Sequence, residues 1–284
     1  MKCLVTGGSG FLGSHVADEL TKKGYKVIIF DLKKSKWINL NQKMIVGNLL
    51  NYNHVNKVLK KVDYVFHFAG LSDLNKALNK PMETIKFNIL ATANLLKLSS
   101  RNKIKRIIFA SSIYANSSQG GFYRCSKRAA EDYIEEFQKR FGIDFSILRY
   151  GSLYGNRSKG TGGINEVIYN AIKKNEINYV GSAKTEREYI HVKDAAKATV
   201  ETLRPKFKNK HIIISGKKKI KVYKFLKILS KELNIKKIHF TNKKKLGHYI
   251  TNPNTFKVKK GKKFFYKNGT SLEKGLKEMI NGEE

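Results

Sequence analysis

Cysteine is nearly missing from this 284-residue sequence, which holds two, Cys3 and Cys125. Nothing in their spacing pairs them, and a chain this long can bury a substantial core without disulfide staples. A reducing compartment is therefore the default, with Cys3 read as a small buried hydrophobe inside the first apolar run. A basic leader followed by an apolar stretch and a small-residue cleavage site is also lacking, because Met1 runs almost directly into Cys3-Leu4-Val5. Long apolar runs are missing too: residues 27–30 and 106–110 are of strand length, far below the roughly 20 residues of a spanning helix. The expectation is a cytoplasmic protein with no membrane partner.

Acidic side chains are scarce, 22 against 57 Lys and Arg, for a formal net charge of +35. From Pro205 onward there are 23 Lys, no Arg and five acidic residues, a net +18, so about half of the excess lies there and the rest is spread along the chain. The reading adopted is a solvated lysine surface that also favours anionic ligands, with polyanion binding as the alternative.

What is present is alternation of strand and helix. Leu4-Val5 leads through a glycine turn to helical spacing over residues 14–23, ended by Gly24. Residues 27–30, 62–68, 104–110 and 145–148 read as buried strands, with helices over 83–99 and 122–141. This order predicts an α/β, doubly wound parallel sheet of the Rossmann type with a smaller, partly interleaved C-terminal domain. Residues 1–154 are assigned to dinucleotide binding, with segments near 186–204 and 211–216 returning to it; 155–284 would be mostly a substrate-binding cap, with a helix over 164–174.

The first turn, Thr6-Gly7-Gly8-Ser9-Gly10-Phe11-Leu12-Gly13, satisfies a Gly-x-Gly-x-x-Gly count between a strand and a helix. Such a turn lets backbone approach a pyrophosphate at the positive end of the helix. Asp31 follows 18 residues after Gly13, at the end of the second strand. A carboxylate there accepts ribose hydroxyls and repels a 2′-phosphate, which selects NAD over NADP; Lys33 and Lys34 are the residues that would hold a 2′-phosphate instead. Further along, Tyr123 and Lys127 open a helix on one face, after Ser111-Ser112 at the end of the preceding strand. An ammonium beside a phenol favours its ionised form and makes it a proton acceptor.

Taken with Phe66-His67-Phe68-Ala69-Gly70, Asn88, residues 148–155 and Arg187-Glu188-Tyr189-Ile190-His191-Val192, these motifs resemble the extended short-chain dehydrogenases/reductases, the NAD-dependent epimerase/dehydratase family. The resemblance covers roughly the first 200 residues, and Ser271-Leu272-Glu273-Lys274-Gly275-Leu276 is similar to the family's closing helix. It implies Tyr123 as acid/base, Lys127 as its activator and a ribose ligand, and Ser112 as partner of the reacting oxygen. Gly7, Gly10, Phe11, Leu12, Gly13, Asp31, Asn48, Leu49, Phe68, Ala69, Gly70 and Tyr150 would line the NAD. Ser152 and Arg187 would meet the diphosphate of a nucleotide-sugar substrate, a bidentate fork being the fitting chemistry for Arg187; alternatively Arg187 pairs with Glu186 or Glu188 at the surface. No metal is called for, and a homodimer is the family expectation.

Two departures from the family pattern stand out: Ser112 and Tyr123 are only 11 residues apart, and Ser152 replaces the asparagine of many nucleotide-sugar epimerases. The family's dehydratases and decarboxylases carry acidic residues beside the catalytic Ser or Thr, whereas Ser112 is followed by Ile113-Tyr114-Ala115-Asn116. Cys125 projects about 200° around the helix from Tyr123, and is expected to pack on the other face. The resemblance therefore implies a 4-epimerase of a UDP-hexose, working through a transient 4-keto sugar. The alternatives are a net nucleotide-sugar reductase or dehydrogenase, and a non-catalytic RNA-binding member of the fold, for which Phe264-Phe265-Tyr266 amid lysines would be the stacking surface; intact Tyr123 and Lys127 weigh against the latter.

Overall fold

The computed structural model describes residues 1–158 and 163–241. Strand β1 (Lys2–Thr6) is followed by helix α1 (Phe11–Lys22), β2 (Lys26–Asp31), β3 (Gln42–Val46), α2 (Tyr52–Leu59) and β4 (Tyr64–His67). Short helices α3 (Leu74–Asn79) and α4 (Pro81–Thr84) lead through a π-helical turn, Ile85–Leu90, into α5 (Ala91–Arg101). Then come β5 (Arg106–Ser112), α6 (Gly121–Phe141), β6 (Asp144–Tyr150), β7 (Ser152–Tyr154) and α7 (Gly163–Lys174). The described chain closes with β8 (Ile177–Val180), β9 (Glu186–Arg187), β10 (Tyr189–His191), α8 (Val192–Glu201), β11 (Lys210–Ile214), β12 (Ile220–Lys221), α9 (Val222–Glu232) and β13 (Ile238–Thr241).

Seven strands form one parallel sheet in the order β11-β6-β5-β4-β1-β2-β3. This is a doubly wound α/β fold, as the strand–helix alternation predicts. Because side chains alternate along a strand, each strand feeds two cores. Leu4, Phe30, Ile107, Phe109 and Ile147 pack with α2, α5 and α6 on one face. Cys3, Val5, Ile29, Ile108 and Leu148 pack with α1 and α8 on the other. A third core, built from Ile164, Val167, Ile177, Val222, Leu226 and Ile235, lies among α7, β8 and α9. The chain leaves β1 for β2 and β3 on one side and returns through β4, β5 and β6 on the other, so the strand order reverses between β1 and β4. That reversal opens a crevice beyond the carboxyl ends of the strands, the place where such sheets bind ligands.

Several elements, β3 and α2 among them, have no counterpart in the sequence reading. Edge strand β3 buries only Gln42 fully, and α2 buries only Val55 and Leu59, one turn apart. Both present too few apolar side chains in register to announce themselves; α2 starts where Asn51 caps it, accepting from the His54 N–H at 3.0 Å. Strand β5 also runs to Ser112, past the expected end at 110, which carries both serines of the site into the sheet. No helix among the described residues is long and apolar enough to cross a membrane.

Candidate active site

The glycine turn occupies the crevice at the end of β1. The Gly7 N–H donates to the Phe30 carbonyl at 2.9 Å, and the Gly10 N–H to the Gly7 carbonyl at 3.0 Å. Gly7 has φ +72°, and a Cβ on it would lie 2.5 Å from the Ala69 nitrogen, so backbone from β1 and from the loop after β4 meet there. Gly10 caps α1 without a side-chain hydrogen bond, and the first turn of α1 holds no acidic residue. With Phe11, Leu12 and Gly13 forming that turn, its amides are left to an anion, and the cradle fits a dinucleotide pyrophosphate.

Asp31 ends β2 beside this turn, its carboxylate accepting the Ser9 N–H at 3.0 Å and the Lys33 N–H at 3.2 Å. Phe68 donates its N–H to the Thr6 carbonyl at 2.9 Å. Phe68 and Ala69 pack against opposite cores, and Gly70 lies beside the Asn88 amide. Asn48 accepts the Leu50 N–H at 3.0 Å, while Leu49 is buried with its carbonyl bound by Asn94.

Across the crevice, β5 delivers Ser112 and α6 delivers Tyr123 and Lys127, all three buried. Ser112 accepts the Tyr114 N–H at 3.3 Å and hydrogen-bonds the Tyr123 hydroxyl. The Lys127 ammonium donates to the Ala110 carbonyl at 2.7 Å and stands 5.8 Å from the centre of the Tyr123 ring. Burial, however, governs both ionisations: it pushes the Tyr123 phenol up to about 12, against the Ser112 hydrogen bond. It likewise brings Lys127 down to about 8, against the charge of Glu131. Lys127 is not among the causes of the tyrosine's shift, and desolvation disfavours both charged forms.

Asn88 organises this region more than its place in the motif suggests. It sits in the π-helical turn, accepts the Leu71 N–H at 2.6 Å, and donates to the Leu71 carbonyl at 3.0 Å and the Ser126 hydroxyl at 2.9 Å. Ser126 in turn donates to the Tyr123 carbonyl at 2.8 Å. The loop after β4 and the helix bearing Tyr123 are thus tied through one amide. A polar residue inside an otherwise apolar helical stretch was the available signal, and π turns recur at functional sites.

On the other side of the crevice, Ser152 is half-buried in β7 with its N–H donating to the Glu188 carbonyl at 3.2 Å. Arg187, half-buried in β9, donates to the Glu186 carbonyl at 2.8 Å. Its charge reaches Tyr179, whose phenol is raised by burial and lowered by Arg187 and a hydrogen bond with Thr185. Tyr179 is an aromatic neighbour of Arg187 that sequence spacing alone did not single out.

Two side chains depart from expectation. Tyr150 is turned into the core, its hydroxyl 2.6 Å from that of Thr199 on α8, so only its backbone remains for a cofactor. Cys125 does face away from Tyr123 but is exposed, with the Arg124 guanidinium 3.4 Å from its sulfur, and not packed. Phe264-Phe265-Tyr266, residues 271–276 and the glycines at 160 and 162 lie outside the described residues.

The model of the NAD dependent epimerase/dehydratase family matches residues 3–215. A putative UDP-glucose 4-epimerase of Methanocaldococcus jannaschii is 28% identical, with 98% of this chain and 97% of that protein covered. A UDP-N-acetyl-alpha-D-glucosaminuronate decarboxylase of Bacillus cytotoxicus is 29% identical over 76% of this chain and 75% of its own. Among solved structures, the UDP-N-acetylglucosamine 4-epimerase from Methanobrevibacter ruminantium M1, in complex with UDP-N-acetylmuramic acid, superposes with a TM-score of 0.81 at 26% identity, covering 90% of this chain and 89% of that one.

Proposed function

This chain belongs to the NAD dependent epimerase/dehydratase family, and from that premise we propose that it epimerises a nucleotide-activated sugar, a UDP-hexose at C4. The observation that carries this reading is the buried Ser112–Tyr123 hydrogen bond backed by Lys127, on a strand end followed by Ile113-Tyr114-Ala115-Asn116, with no carboxylate for a second proton transfer. Full-length similarity to a protein described as a putative UDP-glucose 4-epimerase supports it.

NAD, the family's cofactor, supplies when bound a reversible hydride acceptor. The glycine turn with the α1 N-terminus would hold its pyrophosphate, Asp31 its adenosine ribose, and the segment from Phe68 to Gly70 its inner face. Ser112 orients the reacting sugar hydroxyl. Tyr123 takes that proton and later returns it, and Lys127 holds the nicotinamide ribose and offsets charge developing on the phenol oxygen. Arg187, with Ser152 nearby, would fix the substrate diphosphate and leave the sugar free to present either face, as epimerisation requires. Residues 1–154 with the returning strand β11 would form the cofactor half and the third core the substrate half. Exposed Ile85, Leu90, Phe122, Tyr133 and Phe141 along the π turn and α6 support a homodimer through these helices.

The test is incubation of the purified protein with a panel of UDP-, GDP- and dTDP-sugars, with products identified by mass and chromatography. Interconversion of C4 epimers without net change in NAD is expected. Loss of carbon dioxide, a stable keto product or stoichiometric NADH would overturn the assignment.

A further inference from the structure

Glu131 is 1% exposed, and the proposed chemistry does not use it. It lies one turn beyond Lys127 on the same face of α6. Arg149 from β6 grips it with two donors, Nη2 to Oε2 at 2.6 Å and Nε to Oε1 at 3.1 Å. Ser111 from β5 donates its hydroxyl to Oε1, and His211 from β11 brings Nδ1 to 3.8 Å of Oε2 while its Nε2 is 2.7 Å from Glu135 at the surface. Three strands thus converge on one carboxylate beneath the site.

A buried ion pair is a poor source of stability, because desolvating both charges cancels most of their attraction, and apolar side chains of like volume serve the fold as well. The placement has a different consequence. Facing Lys127 are Tyr123 and Glu131 from its own helix, the Ala110 carbonyl from β5 and His67 from β4. Burial holds His67 near 3 and therefore neutral. Among the described residues, the negative charge acting on the ammonium is that of Glu131. Ser111, which donates to it, also adjoins Ser112, so the same carboxylate braces both strand and helix at the reacting groups.

We infer that Glu131 is a positioning residue of this site: gripped by Arg149 and bonded to Ser111 one helical turn beyond Lys127, it ties β5 to α6 behind Tyr123 and serves as the buried counter-ion to the Lys127 ammonium. This rests on the reading of Tyr123 and Lys127 given above. Burial alone drives Lys127 toward neutrality, and Glu131 opposes it. Arg149 and His211 hold the carboxylate still, so that it acts as a fixed field and not as a mobile partner.

The test compares wild type, Glu131→Gln, and the double variant Glu131→Gln/Arg149→Gln, which removes both charges and leaves no uncompensated partner. Melting temperature is followed from pH 6 to 10.5 for each protein, with and without Lys127→Met, so that the titration of Lys127 is read from stability and not from turnover. In wild type the rise in stability attributable to Lys127 begins near pH 8. In both variants it should begin about one pH unit lower, and where the enzyme is active, turnover at pH 7.5 should drop about threefold with its alkaline limb displaced the same way. The double variant should recover the melting temperature that the single one loses, without recovering the pH displacement. An unmoved Lys127 onset in the double variant would overturn the inference and leave Glu131 as half of a structural ion pair. Failure of Tyr123→Phe to reduce turnover would instead strike the reading of the site, a separate outcome, because the stability measurement does not depend on catalysis.

Discussion

Gly13, in the first turn of α1, stands so close to Gly7 that a Cβ on it would lie 2.4 Å from the Gly7 carbonyl oxygen and 3.0 Å from the Gly8 Cα. Both contacts are with backbone, which cannot swing aside. Gly13→Ala should therefore push α1 away from the turn, costing about 1–3 kcal/mol of stability and weakening NAD by about tenfold or more, since 1.4 kcal/mol is tenfold. Thermal unfolding and calorimetric titration check both. Wild-type affinity in the variant would show that the pyrophosphate does not rest on this turn.

Tyr123→Phe keeps the ring in its buried seat but deletes the oxygen that meets Ser112. Folding and NAD binding should persist while turnover falls by about 10² to 10⁴, the usual contribution of a general acid–base group. Near-normal turnover on the best substrate would make Tyr123 a packing residue.

Lys127→Met should raise stability at neutral pH. The ammonium titrates near 8 in the fold against an ordinary 10.5, so the unfolded chain binds more protons between those values and wild-type stability climbs across that window. Below pH 8 the cost of burying the charge is fully present, about 3 kcal/mol at 1.36 kcal/mol per pH unit. The gap between variant and wild type in urea unfolding should be largest near pH 7 and vanish toward pH 10.5. The same variant should lose turnover and bind NAD more weakly, which separates its role from that of Tyr123.

Arg187→Ala should raise the Michaelis constant for the nucleotide sugar by roughly tenfold to over a hundredfold, the value of one or two charged hydrogen bonds. NAD affinity should hardly change. Steady-state kinetics with varied sugar nucleotide reads this directly, and an unchanged constant would return Arg187 to a surface pairing with its neighbours.

The local parts of this protein were legible in its residues. A glycine turn between strand and helix, Asp31 at the next strand end, and a Tyr and Lys one helical turn apart are short-range patterns, fixed by backbone geometry within a few residues. The α/β alternation followed likewise from apolar runs of strand length set between helical spacings. Weakly apolar elements such as β3 and α2 escaped, because an edge strand and a half-exposed helix need few buried side chains.

What the sequence by itself determined, then, is the strand–helix alternation and the short-range motifs that carry the candidate reacting groups. Only the tertiary structure decided how those groups behave. Tyr150 faces Thr199 and not the crevice because the alternation of β6 turns it into the core with α8, 49 residues onward. Glu131 meets Ser111, Arg149 and His211 because β5, β6 and β11 lie side by side against α6. Tyr123 and Lys127 titrate away from their ordinary values because burial removes water from both. Spacing sets which residues share a helical face, but desolvation and long-range partners exist only after the sheet has brought distant segments together, and these govern the charge on which the chemistry turns.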